Sequence, residues 1–83
     1  MTETQLKKLE GKTIVFMLPA FKHAVAINHY IGVVALQETR LANSTKTHYN
    51  MLLINCLKNG LKCKNDIVIS WNRLAEIKKV EVL

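Results

Sequence analysis

Apolar residues in this chain recur in short runs separated by polar punctuation. Thr13-Ile14-Val15-Phe16-Met17-Leu18 is β-branched and aromatic and lies between Gly11 and Pro19, the pattern of a strand covered on both faces. A longer run, Ala24 to Glu38, carries Gly32 in its interior. A glycine there predicts a sharp bend or bulge, as strands need when a sheet curls into a small barrel. A helix opened by Pro19 is the competing reading of this run, and Val25, Ile27, Ile31, Val33 and Val34 weigh against it. Met51 to Leu57, Asp66 to Trp71 and Glu76 to Leu83 are three further strands, with Val80 and Val82 alternating against Lys79 and Glu81 in the last.

The polar positions supply the connections. Thr39 to Thr47 contains Asn43-Ser44-Thr45-Lys46-Thr47 and reads as a flexible loop. Asn59-Gly60 is a strong turn signal because both residues tolerate positive φ, and Asn65-Asp66 is the alternative hairpin site. At the start, Thr2 to Glu10 predicts a short helix with Thr2 as N-cap, Gln5 completing a capping box and Gly11 as the stop. Leu6 and Leu9 give that helix a narrow apolar edge, and a helix so short must lie on something. The expected fold is mostly β and a single domain over residues 1–83: an N-terminal α-helix within 1–11, then a five-stranded, strongly bent antiparallel barrel over 12–83.

Composition sharpens this picture. At 83 residues the chain leaves much apolar surface uncovered when it folds alone, yet 49% of it is hydrophobic and only 22% charged, so a ring or dimer is expected. The formal net charge is +6. The basic residues fall in groups, Lys7, Lys8 and Lys12, then Lys58, Lys62 and Lys64, then Lys78 and Lys79, without a matching acidic set. That is the footprint of a protein that meets phosphate, although simple solubility would also use it. Cys56 and Cys63 with no secretory leader point to a reduced, cytoplasmic protein. A membrane span would need roughly 18 to 20 uninterrupted apolar residues, and Lys22, His23, Asn28 and His29 interrupt the longest stretch.

Specific residues then carry a resemblance. Leu9-Glu10-Gly11-Lys12-Thr13-Ile14-Val15-Phe16-Met17-Leu18 is similar to the opening of Sm-like proteins, the superfamily of Sm, LSm and Hfq: a Leu-x-Gly-Lys turn followed by an alternating first strand. His48-Tyr49-Asn50-Met51-Leu52-Leu53-Ile54-Asn55 resembles the second half of their first motif, and Ile67-Val68-Ile69-Ser70-Trp71-Asn72-Arg73-Leu74-Ala75-Glu76-Ile77 resembles the second. The likeness runs from about Leu6 to Leu83. Two departures stand out: the stretch between Gly32 and His48 is longer than usual, and the second motif has Ser70-Trp71-Asn72-Arg73 in place of an Arg-Gly or Lys-His pair.

The resemblance implies a homo-oligomeric ring whose pore-facing loops bind single-stranded RNA, with Ile67, Ile69, Val80 and Val82 on the seam between subunits. It places His48 and Asn50 where a base is held, a ring for stacking and an amide for the base edge. The bland reading of the pair is an exposed histidine beside an asparagine that satisfies loop backbone. Trp71 and Arg73 belong to the second contributing turn, where an arginine beside an indole can contact phosphate and stack; a tryptophan there also suits a core or interface plug. Ser70 and Asn72 are candidate base contacts and Lys46 a phosphate contact, while Phe21 and Tyr30 read as core or seam.

Other chemistry finds little footing. His23, His29, His48, Cys56 and Cys63 lack the close pair spacing of a zinc site, and no metal or other cofactor is expected. Glu3, Glu10, Glu38, Asp66, Glu76 and Glu81 form no acid–base pair and there is no phosphate-cradling glycine loop, so no enzyme is expected. Two other readings stay open: an oligomeric small-barrel adaptor without nucleic acid, and a basic helical DNA-binding domain should 20–43 be helical.

Overall fold

The computed structural model describes residues 1–83. Helix α1 is Glu3–Lys8, and both halves of the capping box form: the Gln5 amide donates to Thr2 Oγ1 at 3.2 Å and the Thr2 amide to Gln5 Oε1 at 2.8 Å. Gly11 follows at φ 80°, a left-handed conformation open to glycine, and its amide donates to Val34 O at 2.7 Å. That bond swings the chain into the sheet.

The strands are β1 Thr13–Pro19, β2 Ile27–Arg40, β3 Thr47–Lys58, β4 Leu61–Lys62, β5 Ile67–Ile69 and β6 Lys78–Val82, with a 3-10 helix Trp71–Glu76 between the last two. All pairings are antiparallel; the sheet runs β4-β3-β2-β1-β6, and β5 pairs with β3. The protein is therefore mostly β, as expected, but the count of five strands is corrected to six and the sheet is not closed. The extra strand arises because Asn59 (φ 52°) and Gly60 (φ 80°) fold the chain straight back, so Leu61 and Lys62 pair with Lys58 and Leu57. The 3-10 helix separates β5 from β6, and β6 bonds to β1 alone.

Residues 24–38 form a strand from Ile27 onward, which removes the helical alternative. The loop before it is fixed by Ala20 N–H to Ala26 O and Ala24 N–H to Phe21 O, both 2.9 Å, with His23 at φ 65°. Gly32 sits at the bend. The β2–β3 register shifts between Ile31 and Val33, where Gly32 is faced by two residues of β3, Asn55 and Cys56, and Asn55 takes φ 53°. A Cβ on Gly32 would meet Ile54 O, Leu53 Cβ and Leu53 Cδ2 at 3.3 Å, so a side chain here would press on the facing strand and require it to give by a few tenths of an ångström.

One face of this bent sheet packs with α1 and the 3-10 helix around Leu6, Ile14, Phe16, Leu18, Tyr30, Val34, Met51, Leu53, Cys56, Ile69, Leu74 and Ile77, all buried. Phe16 and Tyr30 stack at 5.2 Å between centroids. Tyr30 is thus core, whereas Phe21 is 67% exposed. The opposite face is apolar too: Val15, Ile31, Val33, Ala35, Leu52 and Ile54 are half-buried. No helix is long and apolar enough to cross a membrane.

Candidate nucleic-acid interface

Two segments distant in sequence meet at one end of β3. His48 stands second in β3, opposite Thr39 of β2, where the strands continue past the apolar pattern. Trp71 opens the 3-10 helix. Pairing of Met51, Leu52 and Leu53 with Ile69, Val68 and Ile67 brings the end of β5 alongside the start of β3, and the chain then delivers Trp71 onto His48. Their rings lie 3.9 Å apart at 11°, nearly parallel.

Asn50 fixes that meeting. Its Oδ1 accepts from the Trp71 amide at 2.8 Å and its Nδ2 donates to Gln37 Oε1 at 3.0 Å, so both polar ends are engaged. The residue ties β2, β3 and the 3-10 helix together, the satisfied-backbone role that competed with base recognition in the sequence. Arg73 is similarly occupied. Its Nη2 donates to Pro19 O at 2.6 Å, and its Nε and Nη2 reach the two carboxylate oxygens of Glu76 at 3.3 and 3.2 Å. Only Nη1 of the guanidinium is left to meet a phosphate.

Around the stacked pair, Asn72 is exposed and Ser70 half-exposed; Lys46 lies exposed in the preceding loop, its amide bonded to Ser44 Oγ at 3.1 Å. A shallow cleft of about 310 Å³ is lined by His48, Trp71 and Asn72 together with Met1, Glu3 and Tyr49. Glu3 and Tyr49 did not stand out as site residues. Tyr49 donates to Glu38 Oε1 at 3.3 Å and carries Lys7 Nζ over its ring at 4.5 Å, while Lys7 also pairs with Glu3 at 3.2 Å. Only the adjacency of Tyr49 to His48 could have flagged it; the approach of α1 has no sequence signal. The cleft thus combines an aromatic platform, one carboxylate and nearby lysines.

The expected seam residues divide. Ile69 is buried in the chain's own core and Ile67 packs against that core, whereas Val80 and Val82 are 37% and 52% exposed on β6. Each of β5 and β6 has a partner on one side only. No cluster of three or more His, Cys, Asp or Glu side chains able to hold a metal ion is present.

No family model, curated protein or solved structure matches this chain.

Proposed function

We propose that this chain is a subunit of an Sm-like ring that binds single-stranded RNA. The observation that carries the reading is the parallel contact of His48 with Trp71 at a loop cluster bearing exposed Lys46 and Asn72, on a chain of net charge +6. A base stacks on the outer surface of this composite platform, and Asn72 and Ser70 offer polar groups to its edge. Asn50 serves as the positioning residue that holds the platform, and Lys46 meets phosphate. The strongly bent sheet would reach barrel-like closure through neighbours, the free edge of β5 in one subunit pairing with that of β6 in the next. Val68, Val80 and Val82, exposed in the single chain, would be covered there.

An oligomeric adaptor without nucleic acid is the second reading. The internal engagement of Asn50 and Arg73 favours it, because two of the polar groups nearest the platform are spent on the fold. Fluorescence anisotropy with uridine-rich and adenine-rich oligonucleotides at two salt concentrations, alongside light scattering, separates the readings. The RNA reading expects binding that weakens with salt and with His48→Ala. An intact oligomer that binds neither oligonucleotide gives the lead to the adaptor, and a soluble monomer at micromolar concentration removes the ring.

A further inference from the structure

At the far end of β3 two cysteines face one another across a tight hairpin. Lys58 pairs with Leu61 and Leu57 with Lys62, so the next residues in register are Cys56 and Cys63, and the Cys63 amide donates to Cys56 O at 2.9 Å. Directly opposed residues of an antiparallel pair project to the same face. Both do so here: Cys56 is 2% exposed within the core, and Cys63 packs against that core while remaining half-exposed. A hydrogen-bonded antiparallel pair holds its Cα atoms about 5.5 Å apart, inside the roughly 4.4–6.8 Å that a disulfide spans. The two thiols are both free, and the Cys56 thiol donates only to the neighbouring Leu57 O at 3.5 Å.

We propose that Cys56 and Cys63 are a redox modification site, closing to a reversible intramolecular disulfide when the protein meets a low-molecular-weight disulfide. The accessible thiol reacts first. Cys63 Sγ loses its proton and attacks one sulfur of the small disulfide, forming a mixed disulfide and releasing one small thiol. Cys56 Sγ then attacks Cys63 Sγ, its proton passing to the departing thiolate, and the second small thiol leaves. Two protein thiols are oxidised and one disulfide is reduced to two thiols. Cys56, 2% exposed, is shielded from the oxidant, and burial pushes its thiol up, so it does not react first; it meets sulfur only through the mixed disulfide held opposite it on Cys63. Half-exposure of Cys63 keeps the bond open to reduction, the property of a labile rather than a structural disulfide.

The bond would staple the hairpin that carries Lys58 and Lys62, with Lys64 just beyond Cys63, and whose turn is anchored by the Asn59 side chain, which accepts from the His29 amide at 2.8 Å. The test incubates the full chain with oxidised glutathione, blocks remaining thiols with an alkylating agent, and measures intact mass. The expected product has lost two hydrogens, takes up no alkylating agent, and yields after trypsin two peptides joined through Cys56 and Cys63; dithiothreitol restores both thiols. Amide exchange at Leu61 and Lys62 should slow in the oxidised form. Cys56→Ala should stop at a glutathione adduct on Cys63. A persistent adduct on Cys63 of the unaltered chain with Cys56 still alkylatable, or dimers linked through Cys63, would overturn the proposal.

Discussion

The two ends of β3 are held by different means. At the Thr47–Asn50 end the strands stay together through side chains: Asn50 bridges Gln37 and the Trp71 amide, Tyr49 reaches Glu38, and His48 lies on Trp71. At the Asn55–Lys58 end backbone conformation does most of the work, with Gly32 against Ile54, Asn55 left-handed and the Asn59-Gly60 turn, and a single side chain, Asn59, ties the turn to Asn28 and His29. A side-chain-held end can carry a ligand surface, but each polar group that holds it is withdrawn from recognition. A backbone-held end engages fewer of its side chains, and there Lys58 and Lys62 are exposed and Cys63 is half-exposed.

The largest effect is expected where backbone packing is tightest. Gly32→Val places a Cβ against Ile54 O and Leu53 Cβ, atoms that cannot swing away. The cost should be about 2–3 kcal/mol in urea denaturation, as overpacking of a close approach requires. Unchanged stability would mean that the bend does not depend on the glycine.

At the other end, Asn50→Ala leaves the half-buried Trp71 amide without its acceptor and should cost about 1–2 kcal/mol. It should also change Trp71 fluorescence, since the ring loses its tether over His48. An unaltered spectrum would show that stacking alone holds the pair.

An alkaline titration probes the backbone-held end through Cys56. Its folded pKa of about 12 lies above the ordinary 9.0, so the folded state favours the neutral thiol. The associated stability is complete below 9.0 and is lost progressively as pH rises toward 12. Above 9.0 the stability of the reduced protein should fall more steeply with pH than that of Cys56→Val, measured by denaturation at each pH.

What the sequence disclosed follows the same division. Gly32, Asn59-Gly60 and the Thr2–Gln5 box were legible because glycine, asparagine and capping residues report backbone conformation locally. The ends of β2 and β3 were not, because Thr39, Arg40 and Thr47 to Asn50 pair without apolar alternation. The 3-10 helix hid within a stretch read as a turn between strands; only Trp71, Leu74 and Ile77 at intervals of three hint at it, and Leu74 and Ile77 are buried. Ile69 read as seam because a short alternating strand has the same pattern whether its apolar face meets its own core or a neighbour. His48, Asn50 and Trp71 were chosen separately; that Asn50 binds the Trp71 backbone depends on the β3–β5 register, which no local pattern encodes.

The smallest effect concerns charge at the platform, where Lys46 and Arg73 should behave unlike. Lys46 is exposed and bonds only through its backbone amide, whereas Arg73 faces Glu76 on two nitrogens and the Pro19 carbonyl on one of them. A phosphate approaching Arg73 therefore meets a pair whose net charge is near zero, and few counterions are released when it binds. Lys46→Ala should lower the slope of log affinity against log salt by about 0.7, one single-strand phosphate contact. Arg73→Ala should change that slope by less than half as much, yet it should cost about 0.5–1 kcal/mol of folding stability, because the Pro19 carbonyl loses its donor and Glu76 its partner. Equal slope changes would place Arg73 directly on the phosphate, which requires the Glu76 pair to open on binding; a slope change at neither residue would move the basic contact to the hairpin carrying Lys58, Lys62 and Lys64.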